Sequence, residues 1–543
     1  MAVGGLSVTT GARAAEYEGK MTWRVFITCA MAACGGLLFG YDLGVTGGVT
    51  GMPAFLEEFF PSVIAAKDRA SAQVSSPYCQ FDDMVLQLWT SSMFLAGAFA
   101  GIATIVFKPF FQRIGRKGVM ISGGVAFVIG AALQAGAVNM GMLIIGRLFL
   151  GLGIGFANQA VPIYISEMAP PKFRGALNII FQLMTTLGIV VASLINYVAQ
   201  DYSWGWRMSI GLAGAPALVF LIGSCILDDS PNSLLLNYKE AKGRKVLVRM
   251  RGTENVGAEW ADIQAAVEEV KAHEVEFWKS LAVLFSPRYW KLALASVAIP
   301  FFQQFTGMNA IMFYAPQIFQ VMGMGVRASL MSSMITNCVN FCATFVAILT
   351  VDRFGRKPLF FVAGITMFIM QTATAALTGL TFTGAAIPQE PADAMIVFIC
   401  IFVSCFAFSW GPLGWLVPSE IHPLETRATG QAVTVFTNFM ASFIIGQFFN
   451  SMLCKMQYGV FLFFAAFVAI MTVYVWILLP ETKGIPVEEI MDAWARVPIN
   501  PLRGEGKTHV EGKDLKQRVV ASNGHGKKAG TNGDDYQNVD LRA

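Results

Sequence analysis

Two charged side chains, Asp42 and Arg147, lie deep inside long apolar stretches of this 543-residue sequence. An ionisable group in such surroundings is costly and indicates a functional role. A neighbouring arginine favours the ionised form of a buried carboxyl group, whereas burial without that partner favours the protonated form. A carboxyl group whose partner comes and goes can therefore carry one proton per cycle. The alternative is a static ion pair that only holds two helices together.

Amide side chains form a second polar group within the apolar stretches. Neutral donors and acceptors beside an aromatic surface suit an uncharged ligand that is covered in hydroxyl groups. An amide in lipid should face protein or a wet cavity, and for an isolated amide a bond between helices is the alternative. Six amides at comparable depth favour a shared cavity, and they are Gln182, Gln303, Gln304, Asn309, Asn340 and Asn438.

The elements that hold these residues are apolar segments of membrane-spanning length. The chain is 55% hydrophobic and 14% charged, with a net charge of +4, and soluble proteins carry about a quarter charged residues. This composition excludes an ordinary soluble domain and a nucleic-acid-binding protein. A spanning helix needs about 20 mainly apolar residues. Twelve segments qualify, near 25–46, 84–107, 118–138, 141–164, 175–200, 208–227, 292–322, 328–351, 358–382, 394–418, 428–453 and 456–479.

The distribution of basic residues predicts the orientation, because cytoplasmic loops carry an excess of Lys and Arg. Loops after spans 2, 4, 8 and 10 hold ten such residues, and both termini are therefore predicted to be cytoplasmic. Asp42 and Arg147 then both fall in the outer third of the bilayer. The predicted organisation is an N-terminal segment at 1–21, a six-helix half at 22–227 with an extracellular lid at 47–83, a cytoplasmic helical linker at 228–291, a second half at 292–480 and a mostly disordered cytoplasmic tail at 481–543.

Two motifs recur in matching loops of the two halves. R-x-G-R-K stands at residues 113–117 and 353–357, and S-E-x-x-P-x-x-x-R stands at 166–174 and 419–427. Two different motifs in the same order indicate duplication, and parallel six-span repeats are typical of transporters that hold substrate between the halves. We expect their charged residues to pair at cytoplasmic helix ends as a gate, with loop anchoring as the alternative: Arg113, Arg116, Glu167, Arg174, Arg353, Arg356, Glu420 and Arg427.

These motifs, with P-E-T-K-G at 480–484 and Q-Q-x-x-G-x-N at 303–309, resemble the sugar-porter family of the major facilitator superfamily. The stretch C-G-G-L-L-F-G-Y-D at 34–42 narrows the similarity to plant and green-algal proton/monosaccharide symporters. The resemblance covers roughly residues 20–495. One departure lies at 228–232, where the family usually has P-E-S-P-R and this chain has D-D-S-P-N, which puts one latch contact in doubt.

The resemblance implies an all-α membrane fold of twelve helices and assigns roles to the residues above. Asp42 matches the proton acceptor, and the six amides match sugar-contacting positions. Trp415, after the helix-breaking Gly411-Pro412 pair, is expected to stack on the sugar, and Phe39 to link the sugar cavity to Asp42.

Cys79 and Cys454 are the two cysteines that the orientation puts outside the cell, where a disulfide is chemically permitted. The matching cysteines of the resembling symporters are paired, so the resemblance implies a bond that braces the lid.

Proton-driven import of a monosaccharide is the leading hypothesis, in a multi-pass protein of the plasma membrane that contacts lipid and functions as a monomer. A facilitative hexose uniporter of the same fold and a non-transporting sugar receptor remain open. An enzyme is not expected, because the spans contain no nucleophile–base pair, no metal constellation and no phosphate-binding loop. No cofactor and no metal site is predicted.

Overall fold

The computed structural model describes residues 21–71, 76–170, 173–272, 277–381, 389–422, 424–482 and 494. The predicted N-terminal segment and tail lie almost entirely outside this part. All regular elements in it are helical. They are α1 Trp23–Val49, α2 Pro53–Phe59, α3 Pro61–Ser71, a 3-10 turn Pro77–Cys79, α4 Met84–Val106, α5 Lys108–Ala135 (kinked at Gly115), α6 Met140–Met168, α7 Arg174–Ala199, α8 Gly205–Gly211, α9 Gly214–Ile226, α10 Pro231–Leu236, α11 Glu240–Arg251, α12 Gly257–Ala272, α13 Phe277–Leu284, α14 Trp290–Phe305, α15 Met308–Val321, α16 Val326–Phe354, α17 Arg356–Thr381, α18 Gln389–Phe408, α19 Trp410–Glu420, α20 Leu424–Met456 and α21 Gly459–Leu478.

Eleven predicted spans coincide with helical segments that are long and apolar enough to cross a membrane. The predicted seventh span, 292–322, is instead divided into α14 and α15 by a break at Thr306 and Gly307. Gly307 has φ +82°, a left-handed conformation that favours glycine. With span 7 counted as one, the membrane spans number six and six on either side of the linker. The predicted fold of twelve membrane-spanning helices is confirmed.

The two halves pack against each other along three helix pairs, α1 with α15, α4 with α20 and α7 with α16. We call the end of the bundle that carries residues 50–71 and 76–83 the lid end, and the opposite end, with α10 to α13, the linker end. Side-chain hydrogen bonds join the halves in the part of the bundle nearer the lid end. Ser91 donates to Gln447 Oε1 at 2.9 Å, and Arg327 Nε donates to the Tyr197 hydroxyl at 3.3 Å.

The first part of the lid, α2, is attached to the first half of the protein. Phe55 packs on Trp89 and Trp206, with ring centroids 4.9 and 5.4 Å apart. Glu58 forms an ion pair with Arg207 at 2.5 Å. Since α1 continues to Val49, the lid begins three residues later than the sequence predicts.

The second part of the lid, from α3 to Asp83, is attached to the second half. Lys67 Nζ donates to Gln320 Oε1 at 3.1 Å, and Asn450 Nδ2 donates to the Phe81 carbonyl at 3.1 Å. The predicted disulfide between Cys79 and Cys454 is confirmed. The lid therefore bridges both halves, and it does so covalently at one point.

The linker forms a small helical subdomain against the first half. Its own apolar cluster includes Leu247, Trp260 and Val267. The N-cap residue of α1 is tied to it, because the Thr22 hydroxyl donates to the Met250 carbonyl at 2.9 Å. The predicted helical linker is thus folded and attached, and its helix α13 packs near the start of α14.

The buried amine of Lys67 makes lid stability depend on pH. Burial lowers the pKa of Lys67 from 10.5 to about 8, so below about pH 8 the charge costs stability in the folded lid. Between about pH 8 and 10.5 the folded chain releases the proton before the unfolded chain does, and the cost disappears as pH rises. We expect the wild type to gain about 1 kcal/mol between about pH 7 and pH 9 relative to Lys67→Met, measured by thermal unfolding.

Arg69→Met, on the exposed side of the same helix, is the matched control and should track the wild type at both pH values. A Lys67→Met variant with the same pH slope as the wild type would contradict the lowered pKa.

Candidate functional site

Asp42 and Arg147 form a buried ion pair where α1 crosses α6. Arg147 Nη1 lies 2.7 Å from Asp42 Oδ1, and both residues are at most 2% exposed. The sequence places both residues at similar depth, and the predicted contact is confirmed. The pair needs a good geometry to be tolerated, because two buried charges recover their lost hydration only through close contact and further hydrogen bonds.

Three neighbours complete the surroundings of the arginine. Its second terminal nitrogen donates to the Thr46 hydroxyl at 2.6 Å, one turn beyond Asp42 on α1. The guanidinium carbon lies 4.0 Å from the centre of the Trp89 ring, a cation–π contact. Nη1 also contacts Met93 Sδ at 3.7 Å. Asp42 Oδ2 has no hydrogen-bond partner among the described residues, so this oxygen is available to hold a proton.

A cluster of aromatic rings joins the two halves of the protein. Phe39 meets Phe439 edge to face, with centroids 6.2 Å apart. Phe94, next to Met93 in sequence, contacts both Phe439 and Phe313, at 6.3 and 5.3 Å. The sequence predicts a role for Phe39 but not for the other three, because aromatic residues on lipid-facing and interior faces look alike in an apolar segment.

Gln303 connects the breaks in the seventh and tenth spans. Its Nε2 donates to the carbonyls of Trp410 and Gly411, at 2.8 and 3.1 Å, where α18 gives way to α19. Its Oε1 accepts from Asn438 Nδ2 at 2.7 Å. Two predicted amides are thus brought together, and one of them also bonds the backbone at the start of α19.

A second amide pair lies beside the break in span 7. Asn309 Nδ2 donates to Gln304 Oε1 and, at 3.2 Å, to the Ser442 hydroxyl. Asn340 approaches the same region through a 3.8 Å contact with the sulfur of Met312. Ser442, on α20 one turn beyond Asn438, is not predicted from the sequence, since hydroxyl groups in helices commonly bond only their own backbone.

The remaining predicted site residues are less fully engaged. Gln182 is half-buried, and its side chain makes no hydrogen bond to any described residue. Trp415 is also half-buried and packs against the core on α19. Both retain partly accessible side chains, and neither is hydrogen-bonded to the four paired amides among the described residues.

At the linker end, the charged residues of the first half form a buried network. Arg116 Nη2 lies 3.0 Å from Glu167 Oε1. The other oxygen of Glu167 accepts a hydrogen bond from the Ser230 hydroxyl. Asp229 caps the helix after the kink by accepting from the Lys117 backbone N–H at 3.2 Å. The predicted pairing of Arg116 with Glu167 is confirmed.

The second half uses a similar cap. Glu481 accepts from the backbone N–H groups of Arg356 and Lys357, each at 2.9 Å. Arg113 and Arg353 are exposed at this end. The side chains of three further predicted gate residues lie outside the described part of the chain, namely Arg174, Glu420 and Arg427.

Both carboxylates of the altered motif at 228–232 bond to neighbouring side chains. Asp228 pairs with Arg249 of α11 at 2.6 Å, and Asp229 also accepts from the Ser233 hydroxyl at 2.8 Å. Asn232, where the resembling family has arginine, is 4% exposed. An arginine of the linker thus pairs with the first carboxylate of the altered motif.

Arg251 is an important residue at this end that the sequence does not predict. It forms a bidentate pair with Glu259, with distances between 2.7 and 3.1 Å, and donates to the carbonyls of Met168 and Ala169. These carbonyls lie at the C-terminal end of α6, where a cation is favourable. The linker thereby holds the end of the helix that carries both Arg147 and Glu167.

Comparison with known proteins agrees with this arrangement. Residues 28–494 match the family described as sugar (and other) transporter. The chain belongs to this family. It is therefore a multi-pass membrane transporter and not an enzyme.

Among the relatives of this transporter, H(+)/hexose cotransporter 2 of Parachlorella kessleri is 49% identical over 504 residues, covering 91% of this chain and 92% of the relative. Sugar transport protein 10 of Arabidopsis thaliana is 50% identical over 499 residues, covering 91% and 95%.

Solved structures share the fold. The proton:xylose symporter XylE bound to 6-bromo-6-deoxy-D-glucose superposes with a TM-score of 0.70 at 24% identity, covering 87% of this chain and 99% of the other. The inward-open conformation of XylE from E. coli gives a TM-score of 0.68 at 25% identity, covering 87% and 100%.

The break in span 7 depends on Gly307. A Cβ atom there would lie 2.7 Å from Phe464 Cγ, in addition to the cost of the left-handed backbone. We expect Gly307→Ala to lower the free energy of unfolding by about 1–3 kcal/mol, measured by thermal unfolding in detergent.

Gly325→Ala is the matched control, because Gly325 has φ −64° and nothing lies within 4 Å of its would-be Cβ. It should change the stability by less than about 0.5 kcal/mol. Equal stabilities of the two variants would show that the break tolerates an ordinary residue.

Proposed function

We propose that this transporter imports a hexose together with a proton, driven by the proton gradient. The observation that carries the proposal is the buried Asp42–Arg147 pair in a bundle that also holds a group of paired amides. Phe39, one turn before Asp42, contacts Phe439, the residue after Asn438. The relative from Parachlorella kessleri is named an H(+)/hexose cotransporter, and one solved structure with this fold is a proton:xylose symporter. Both names agree with the proposal.

The proton step takes place at Asp42. While Arg147 contacts Asp42, the carboxylate remains ionised; when α1 and α6 move apart, burial favours the protonated carboxyl. Oδ2 is the oxygen without a partner among the described residues, so it is the atom we assign to the proton. Thr46 and Trp89 give the arginine alternative contacts while the carboxyl group is neutral.

The sugar site consists of neutral amides on the second half, with further residues from the first. Gln303, Gln304, Asn309 and Asn438 bond each other here, and sugar hydroxyl groups offer donors and acceptors that replace these contacts. Trp415 supplies the aromatic surface. Asn340, Gln182 and Phe39 complete the predicted set.

Alternating access follows from the packing of the two halves. Opening towards the lid end requires breaking contacts such as Ser91 with Gln447, whereas the lid stays tethered to the second half through Cys79 and Cys454. We assign the lid end to the outside, the linker end and both termini to the cytoplasm, and the protein to the plasma membrane as a monomer. The charged network around Glu167 then acts as the cytoplasmic gate.

The test is to express the protein in oocytes and record membrane current when glucose is added at an external pH of about 5.5 or about 7.5. Inward current that grows at acid pH is expected, because the more acidic bath supplies about 100-fold more protons. Asp42→Asn cannot be ionised, so the glucose-induced current should fall at least about tenfold.

Asp68→Asn, an exposed aspartate of the lid, is the matched control and should behave as the wild type. Uptake of labelled glucose without current, unchanged by pH and by Asp42→Asn, would instead identify a facilitative uniporter. Absence of uptake of any hexose would refute sugar transport itself.

A further inference from the structure

The break in span 7 is held from the side by a residue of α17, a helix that contributes none of the predicted sugar-binding residues. Gln371 Nε2 donates to the Thr306 carbonyl at 2.6 Å. Thr306 is fully buried, and Gln371 is 3% exposed. Because the helix ends at Phe305 and restarts at Met308, carbonyl groups at the break need partners from elsewhere.

Thr306 in turn is bonded to the residues that line the break. Its hydroxyl donates to the Gln303 carbonyl at 2.7 Å and accepts from the Met308 backbone N–H at 3.3 Å. A continuous chain of hydrogen bonds therefore leads from Gln371 through Thr306 to Gln303, whose side chain contacts Asn438. The two edges of the break carry Gln303 and Gln304 on one side and Asn309 on the other.

The same helix also contacts the break in span 10. Phe360, on α17, packs on Trp410 with ring centroids 4.3 Å apart. The carbonyl of Trp410 is one of the two that accept from Gln303. α17 thus contacts the backbone break in span 7 and the start of α19 in span 10, and it contributes none of the paired amides itself.

Only one end of the Gln371 amide is used. Its Oε1 is buried and has no hydrogen-bond partner among the described residues. An unpaired buried carbonyl oxygen is costly, so an apolar side chain of the same size would suit the packing of α17 better. The N–H donor towards Thr306 is the feature of this side chain that an apolar residue lacks.

We propose that Gln371 is a positioning residue for sugar binding, which fixes the Thr306 carbonyl and thereby keeps Gln303, Gln304 and Asn309 in register. This inference rests on the proposed function of the amide group. Gln371 does not touch the sugar. Its loss changes the relative placement of three groups that do, so sugar affinity falls while the fold persists.

The test compares Gln371→Met with the wild type in glucose uptake and in glucose binding to the purified full-length protein. Loss of one positioning hydrogen bond should raise KM and Kd about 3- to 10-fold and leave kcat within about twofold. The melting temperature should move no further than in Thr374→Val. Thr374 is a buried residue one turn away whose hydroxyl bonds only its own helix, so its variant should keep the wild-type KM.

Gln371→Asn provides the second variant, because it keeps the amide but shortens it by one methylene and so withdraws the donor from Thr306. Equal KM in Gln371→Met and wild type, or equal losses in Gln371→Met and Thr374→Val, would overturn the inference. Should Gln371→Met fail to fold, a folded Gln371→Asn with wild-type KM overturns it in the same way. A wild type that transports no hexose would instead refute the proposed function, and the inference would fall with it.

Discussion

The cost of placing charge in a membrane interior is the constraint on which this structure depends. Arg147 is 1% exposed within a helix of long apolar stretches, and its guanidinium contacts a carboxylate, a hydroxyl and an aromatic ring. These partners come from α1 and α4, so the arginine specifies how three helices meet. An arginine suits this position because its planar group presents several donors in a fixed geometry. Because these contacts come from different helices, a change in the relative position of the helices can break the ion pair.

The amide group obeys the same constraint without charge. Amide side chains bond the backbone at both helix breaks: Gln371 donates to the Thr306 carbonyl at the end of α14, and Gln303 donates to carbonyls at the start of α19. Gln303, one of the residues proposed to bind the sugar, is thus also a residue that bonds the backbone at a helix break. Irregular backbone at membrane depth is accepted where it is buried in protein or lines a cavity. Here it serves both to stabilise the site and to aim its polar groups inward.

The two six-helix halves share one architecture, but the lid and the linker contact them differently. Asp229 and Glu481 both cap the helix that follows an R-x-G-R-K motif, which preserves the ancestral symmetry at the linker end. The lid breaks that symmetry, because α2 packs on the first half while the disulfide and Lys67 attach the remainder to the second. The linker adds a further asymmetry through Arg251, which binds the C-terminal end of α6. Movements at the linker can thus reach the helix that carries Arg147.

The sequence by itself determined the class of the protein, the number of spans, the repeat and the residues of the ion pair, because apolar length and rare intramembrane charge are local and unmistakable signals. It also indicated the amides of the site, though not how they pair. Only the tertiary structure decided that span 7 is broken at Gly307, that Phe94 contacts Phe439 of the other half, and that Gln371 donates to the backbone at the break. These features depend on which face of each helix meets its neighbour. A glutamine facing another helix and one facing a cavity look the same in a sequence, because the difference lies in partners that are distant along the chain.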